Sequence, residues 1–408
     1  MGNGTWQGRC CVGGALVRIF QPMRRLFLLG ACAAILFTAG CGKPAPQEPA
    51  PPPAPAPVKI LSIGVFLPLK GAGQASGEAA LNGLAMAAEE VNASGGVIGQ
   101  AIRLVVRDTR SEPERSVKAV RDLVEEDKVA ALVGGFSAGS VEAAVAADES
   151  GVPLIALGST MPGVRLNEPG VFRICQRDFL SGRVMAKFAA TLGSKRALVL
   201  YEPSSEYSKT LALAFGKQFK RKQGTRILGE PFAEGTTDFT KHIENIRKAN
   251  PDVVYLPVSG DMAAAIITKA REAGIAVPFL GTAMWDSPEF VASTGAAGEN
   301  CYFPGKFNPE GGSGSAKVFL AGYSQKHSES PSAPAALGYD ALAILANAIR
   351  TAGTTDALKL REALDSTRNF PGLTGPITTD PELSRPHPTP VLKIEAGRIM
   401  FLELIDPA

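Results

Sequence analysis

From Lys59 onward, short apolar runs alternate with longer stretches whose apolar residues recur every three or four positions. Ile60 to Leu67 is a continuous apolar strand pattern. Ala80, Leu81, Leu84, Ala87, Ala88 and Val91 follow at helical spacing and stop at Gly95-Gly96, residues suited to closing a helix. Ile102 to Val106 predicts a second strand, and Val117, Val120, Leu123 and Val124 mark the next helix. Val129 to Val133 and Pro153 to Leu157 complete a first strand–helix series. A second series runs through a strand at Ala197 to Tyr201, a helix near Thr210 to Lys222, a strand at Asp252 to Leu256, a helix near Met262 to Ala273 and a strand at Val277 to Gly281. A further helix is expected over Tyr339 to Ala352. Repeated βαβ units imply parallel sheets with helices on both faces, and two series imply two doubly wound, Rossmann-like lobes in an α/β protein. Ligands of such sheets sit beyond the carboxyl ends of the strands. The loops that matter are therefore Pro68 to Gly77, Gly134 to Ser140, Leu157 to Pro162, Glu202 to Ser208, Val258 to Asp261 and Thr282 to Ser287.

The segment before Lys59 follows different rules. Met23-Arg24-Arg25 is a basic start, Leu26 to Phe37 is apolar, and small residues precede Cys41. This is the layout of a secretory signal peptide. With a cysteine at the cleavage point, Leu36-Phe37-Thr38-Ala39-Gly40-Cys41 resembles the lipobox of bacterial lipoproteins, Thr38 standing where Leu is commonest. The resemblance implies a lipid on Cys41. The apolar run of about 15 residues falls short of the ~20 needed to span a bilayer, which speaks against an uncleaved anchor. Residues 23–40 are then the signal peptide, and residues 1–22, which lack the character of a basic leader, read as an over-long start with Met23 as the true one. Residues 41–57 form a Pro/Ala tract with no apolar period. Such composition extends as polyproline II, and at ~3.1 Å per residue it reaches up to about 50 Å as a tether.

Composition narrows the picture further. The chain from Cys41 is too long for one compact core and comfortable for two lobes. Apolar residues make up 45% of the chain, and 42 basic against 39 acidic residues give no bias toward nucleic acid. Cys10, Cys11, Cys32 and Cys41 lie at or before the lipobox, so Cys175 and Cys301 are left to the folded part. A disulfide between them is permitted by an exported location and not required.

Two motifs mislead. Gly135-Phe136-Ser137-Ala138-Gly139 matches the G-x-S-x-G elbow of hydrolases between a strand and a helix. None of His242, His327 and His387 sits in a run that reads as a catalytic loop, so the segment is read as a small-residue loop that lets a ligand approach backbone amides. Gly71-Ala72-Gly73 with Gly77 echoes a dinucleotide loop, but its third glycine is one place late. Metal-ligand spacing is absent from the sequence. No catalytic residue, metal or cofactor is expected.

Several segments together carry a resemblance. IGVFLPLKGAGQASGEAALNGLAMAAEEVNASGGVIGQAIRLVVRDTRSEP, ALVGGFSAGSVEAAVAADESGVPLIALGSTMP, GYDALAILANAI and FPGLTGPIT closely resemble the periplasmic leucine/isoleucine/valine-binding protein family, the amino-acid and amide receptors of ABC importers. The likeness covers Lys59 to about Glu403. It implies a type I periplasmic binding protein, a Venus flytrap of two lobes joined by three crossovers, with one lobe at 58–176 plus 305–375 and the other at 177–304 plus 376–408. It also implies a small carboxylate or amino-acid ligand, an ABC permease in the inner membrane as partner, attachment to the membrane through the lipid, and a place in the cell envelope facing the periplasm.

Position by position, the resemblance puts the ligand's carboxylate and amino group at Gly158, Ser159 and Thr160. Amides at a helix start and small hydroxyls suit an anion. Ser137 and Ala138 match a second carboxylate-holding loop, with the hydroxyl one place early. Tyr207 matches an aromatic that covers the ligand, or is an exposed loop aromatic. Ser76 stands where an aromatic often lids the pocket and Ser259 where Tyr is common. Ala283 replaces the carboxylate that pairs with a ligand ammonium. Asp286 either substitutes for it, with Trp285 as an apolar wall, or is the N-cap of the following helix. The departures leave a second class open, a regulatory lipoprotein of this fold resembling activators of peptidoglycan synthases.

Overall fold

The run Lys59–Leu67 forms strand β1, buried from Leu61 onward except at half-buried Ser62, as a strand covered on both faces must be. The structure, a computed structural model, describes residues 59–408 apart from residues 72, 136–139, 159–169, 175–178, 223–225, 309, 311–313 and 380–386. The signal peptide, Cys41 and the tether lie outside the described residues.

Helix α1 (Gln74–Ala93), β2 (Gln100–Asp108), α2 (Pro113–Glu125), β3 (Ala131–Gly134), α3 (Ser140–Ser150), β4 (Leu154–Ala156) and β5 (Val171–Arg173) follow in order. Their strands join β1 in a parallel sheet of order β2-β1-β3-β4-β5. The second series comprises α4 (Phe179–Thr191), β6 (Arg196–Tyr201), α5 (Glu206–Arg221), β7 (Arg226–Pro231), α6 (Thr240–Ala249), β8 (Val253–Tyr255), α7 (Gly260–Glu272), β9 (Phe279–Leu280), α8 (Pro288–Thr294) and β10 (Cys301–Pro304). After β10 come α9 (Gly314–His327), α10 (Ala333–Ala352), α11 (Ala357–Asp365), the small hairpin β11 (Phe370–Gly372) and β12 (Gly375–Ile377), and finally β13 (Thr389–Glu395) and β14 (Arg398–Ile405). The second sheet has the order β14-β13-β10-β9-β8-β6-β7, parallel from β6 to β10 and antiparallel at β13 and β14.

Side-chain packing shows how the chain divides between the sheets. Leu337, Ala341 and Leu345 of α10 share a core with Ile63 and Val65 of β1, so the chain returns to the first sheet after β10. Leu392 and Ile394 of β13 share a core with Leu198 and Val254 of the second sheet, so it then leaves again. Together with the passage from β5 to α4, this gives three crossings between two doubly wound layers.

Helix α10 begins at Ala333, six residues before the expected Tyr339. Pro334 falls in its first turn, where no intrahelical N–H bond is lost, so the proline starts the helix instead of breaking it. The helix lies against α1 at very short range. A Cβ on Gly338 would come within 2.1 Å of the Ala80 carbonyl oxygen, and one on Gly83 within 1.9 Å of the Ala335 carbonyl oxygen. The two glycines therefore let the helix backbones touch where any larger residue would push them apart. The FPGLTGPIT segment becomes the β11–β12 hairpin, whose turn hangs on buried Asp340 of α10. The β13–β14 hairpin turns through Ala396 and Gly397, both at positive φ, as two-residue hairpin turns require.

Candidate ligand-binding site

Five of the expected site residues are described: Ser76, Gly158, Tyr207, Ser259 and Asp286. Ser137, Ala138, Ser159 and Thr160 lie outside the described residues. Gly158 directly follows Leu157, whose amide donates to the Gly134 carbonyl at the end of β3, so it stands at the carboxyl edge of the first sheet.

Ser76 is the third residue of α1 and is 9% exposed. Its amide donates to Oε1 of Glu289 and its hydroxyl to Oε2, both at 2.8 Å. Glu289 belongs to α8, a helix of the second sheet, so these bonds run from one layer system to the other. Sequence reasoning missed Glu289. Its only trace was indirect: Gly73 caps α1 without a side chain, and no acidic residue occupies the helix's first turn.

Tyr207 is the second residue of α5, where Ser205 caps the helix by accepting the Ser208 amide. Its ring is half-buried against the core built by Phe215, Phe219 and Tyr255. It is thus a packed helical residue, not an exposed loop aromatic. Ser259 occupies the N-cap of α7 without a capping bond from its side chain.

Asp286 is 8% exposed, and its Oδ2 accepts the Lys306 amide at 2.9 Å. Burial pushes its carboxyl up to about 6, against the pull of that hydrogen bond and of the Lys306 charge. The N-cap of α8 is Ser287, whose hydroxyl oxygen accepts the Phe290 amide at 3.2 Å. The capping alternative for Asp286 is corrected by one residue: Ser287 has already taken that role, and Asp286 is left as a buried acid facing a neighbouring loop. Trp285 is not a pocket wall. It is fully buried, stacked on Phe290 at 4.7 Å between ring centroids, with Nε1 donating to the Val258 carbonyl.

Ala283, where the ammonium partner was expected, lines a cavity of about 40 Å³. Ile174, Leu337 and Ile377 reach it from the first core, and Leu180, Lys306 and Thr389 from segments of the second layer system or the crossings. The cavity therefore sits where the three crossing segments converge. Lys306 places its backbone on Asp286 and also borders this space.

Other candidate chemistry is accounted for locally. His242 of α6 bonds Glu230 of β7 through Nδ1 at 2.7 Å. Cys301 is a buried free thiol, pushed up to about 12 by desolvation, and Cys175 lies outside the described residues. Among the described residues no group of three or more His, Cys, Asp or Glu is placed to hold a metal, and no helix is long and apolar enough to cross a membrane.

Two doubly wound α/β layers threaded three times by one chain, with candidate ligand residues after strands and at the starts of helices, define a two-lobed binding-protein architecture. The sequence profile of the periplasmic binding protein family matches residues 60–397, and the chain belongs to that family. An amino acid binding protein of Pseudomonas aeruginosa is 32% identical over 220 residues, 53% of this chain and 59% of that protein; the match thus spans less than two thirds of that relative. A Leu/Ile/Val-binding protein homolog of Brucella abortus is 28% identical over 326 residues, covering 78% of this chain and 86% of the relative. Among solved structures, the leucine binding protein LivK of Thermotoga maritima is similar with a TM-score of 0.75 at 32% identity, over 85% of this chain and 99% of that one. The branched-chain amino acid transporter substrate binding protein LivJ of Streptococcus pneumoniae, solved with isoleucine, gives a TM-score of 0.76 at 28% identity, over 86% and 100%.

Proposed function

We propose that the protein is a lipid-anchored solute-binding protein of an ABC importer that closes its two lobes over a small carboxylate-bearing ligand. Residues 58–176 with 305–375 form one lobe and 177–304 with 376–408 the other, and the three crossings act as the hinge. The observation that carries this reading is the likeness to LivJ, solved with isoleucine, across the whole of that chain. Gly158, Ser159 and Thr160, with Ser137 and Ala138, hold the carboxylate. Ser76, Tyr207, Ser259 and Asp286 complete the pocket. Cys41 carries the lipid that keeps the protein on the envelope, facing the periplasm or, in a single-membrane organism, the exterior.

Ala283 shapes the ligand class. Without a carboxylate there, an ammonium needs Asp286, whose burial raises its carboxyl to about 6. A ligand lacking the ammonium, such as an aliphatic or aromatic acid, makes no such demand. Thermal-shift screening with isoleucine, leucine and benzoate separates the cases. A ligand that binds only the native state adds RT ln(1 + [L]/Kd), about 2.7 kcal/mol at a hundredfold excess over Kd. Thr160→Ala removes a hydrogen bond to a charged group, a loss of roughly 1.5–3 kcal/mol, and shrinks the shift. The missing acid at Ala283 also favours the regulatory reading. That reading prevails if no carboxylate moves the melting temperature while a peptidoglycan synthase binds the protein.

A further inference from the structure

Helix α1 is twenty residues long and lacks the usual means of satisfying its first turn. Gly73 at the N-cap offers no side-chain acceptor, and the first turn contains no acidic residue to meet the helix dipole. The leading amides of a helix have no intrahelical partner, so the Ser76 amide needs an acceptor from elsewhere. It finds one on Glu289, 213 positions away in the sequence. The carboxylate suits the place twice over: its two oxygens meet the amide and the hydroxyl together, and its charge lies at the positive end of the helix. Glu289 is itself fixed, because its neighbour Phe290 is buried between Trp285 and Phe303. One lobe therefore caps a helix of the other.

We propose that Glu289 is a positioning residue that sets how far the lobes stand closed before any ligand arrives. The proposal rests on the two-lobe closing motion of the reading above. Opening the lobes strips the Ser76 donors of their partner, so the clasp favours the closed arrangement regardless of what occupies the pocket. The apparent affinity of a ligand scales with the fraction of protein already competent to hold it. Loss of the Glu289 carboxylate is then expected to weaken every ligand by about tenfold.

The test needs no ligand. Small-angle X-ray scattering and amide hydrogen exchange are measured on the ligand-free full chain, as wild type, Glu289→Ala, Glu289→Gln and Ser76→Ala. The expected result is a larger radius of gyration and at least tenfold faster exchange at the Ser76 amide in Glu289→Ala. Glu289→Gln, which keeps one acceptor oxygen, and Ser76→Ala, which keeps the amide, should fall between. If Glu289 merely stabilised α8, Glu289→Ala would melt earlier with unchanged radius and unchanged Ser76 exchange, and that result overturns the proposal. A clasp found without any hit in the carboxylate screen would uphold this inference and remove the transport reading, so the two fail separately.

Discussion

Asp340 Oδ2 accepts two hydrogen bonds from Thr374, from its amide at 2.9 Å and its hydroxyl at 2.7 Å, while Oδ1 accepts the Leu373 amide at 2.7 Å. Asp340 is 1% exposed, so these donors have no ready exchange with water. The two segments GYDALAILANAI and FPGLTGPIT, distinct in the sequence, are thereby one structural unit. Asp340→Ala strands two amides and a hydroxyl, and we expect a loss of about 3 kcal/mol in urea unfolding. Thr374→Val removes only the hydroxyl and should cost about 1 kcal/mol. Equal costs for both variants would mean that the backbone bonds contribute nothing.

Stability should fall as pH rises from about 4 to about 6. Burial raises Asp286 and Asp340 from the ordinary 3.8 to about 6 in the folded protein, outweighing the hydrogen bonds each accepts. Over that window the folded state retains protons the unfolded chain has given up. Each group's contribution is complete below about pH 4 and is lost through about pH 6, roughly 3 kcal/mol apiece. Asp108 and Asp252 are held below 3.8, by hydrogen bonds and arginine charges that outweigh their own burial, and act only at lower pH, in the opposite sense. Urea midpoints across the window test this, and Asp340→Asn should flatten the slope by about half. A midpoint that climbs from pH 4 to 6 contradicts the assignment.

The same acid distinguishes ligand classes. An ammonium seated against Asp286 favours its ionised form, so amino-acid affinity should rise with pH through about 6. A simple carboxylate should bind without that rise. Isothermal titration at pH 5 and pH 7 decides, and Asp286→Ala should matter only for an amino acid.

Gly338→Ala should cost about 3 kcal/mol, because the new methyl meets the Ala80 backbone carbonyl, which no side-chain rotation can clear. Gly314→Ala on α9 meets nothing within 4 Å and should change stability by no more than about 0.5 kcal/mol. Parallel urea curves of the two variants check the contrast.

How much of this was legible in the sequence depended on length and period. β1, α1, β2 and α2 announce themselves because their patterns run long enough to average out exceptions. β5, β11 and β12 span three residues each and carry Arg, Pro or Gly within them, whereas the equally short β4 and β8 are apolar throughout and were legible. β13 and β14 pair in an order that no local pattern states. At the candidate site, Asp286 and Ser287 are both good capping residues, and only the path of the chain decides that Ser287 caps. Trp285 reads as an apolar pocket wall from its neighbours and is core because Phe290 and Phe303 pack on it. Glu289 was invisible, since its partner lies on the other lobe.

The anchor has its own test. Cys41→Ala removes the only thiol at the proposed cleavage point, and the protein should then move from the membrane to the soluble fraction on cell fractionation. Three acyl chains hold far more firmly than one, which binds marginally. Unchanged membrane retention would sink the lipid assignment.

The strand pairing of β10 sets a schedule for the making of the molecule. Tyr302 and Phe303 find their antiparallel neighbours only in Lys393 and Leu392. A chain halted after Pro304 lacks α10, and with it a large part of the first core. A chain halted after Ile377 can finish the first lobe, yet leaves the second with an open edge and without Leu392 and Ile394. Each lobe takes its residues from two separate stretches, and the second is completed only with β13 and β14. Loss of β13 and β14 would therefore leave β10 unpaired on one side and open the core of the sheet whose strands begin at Arg196.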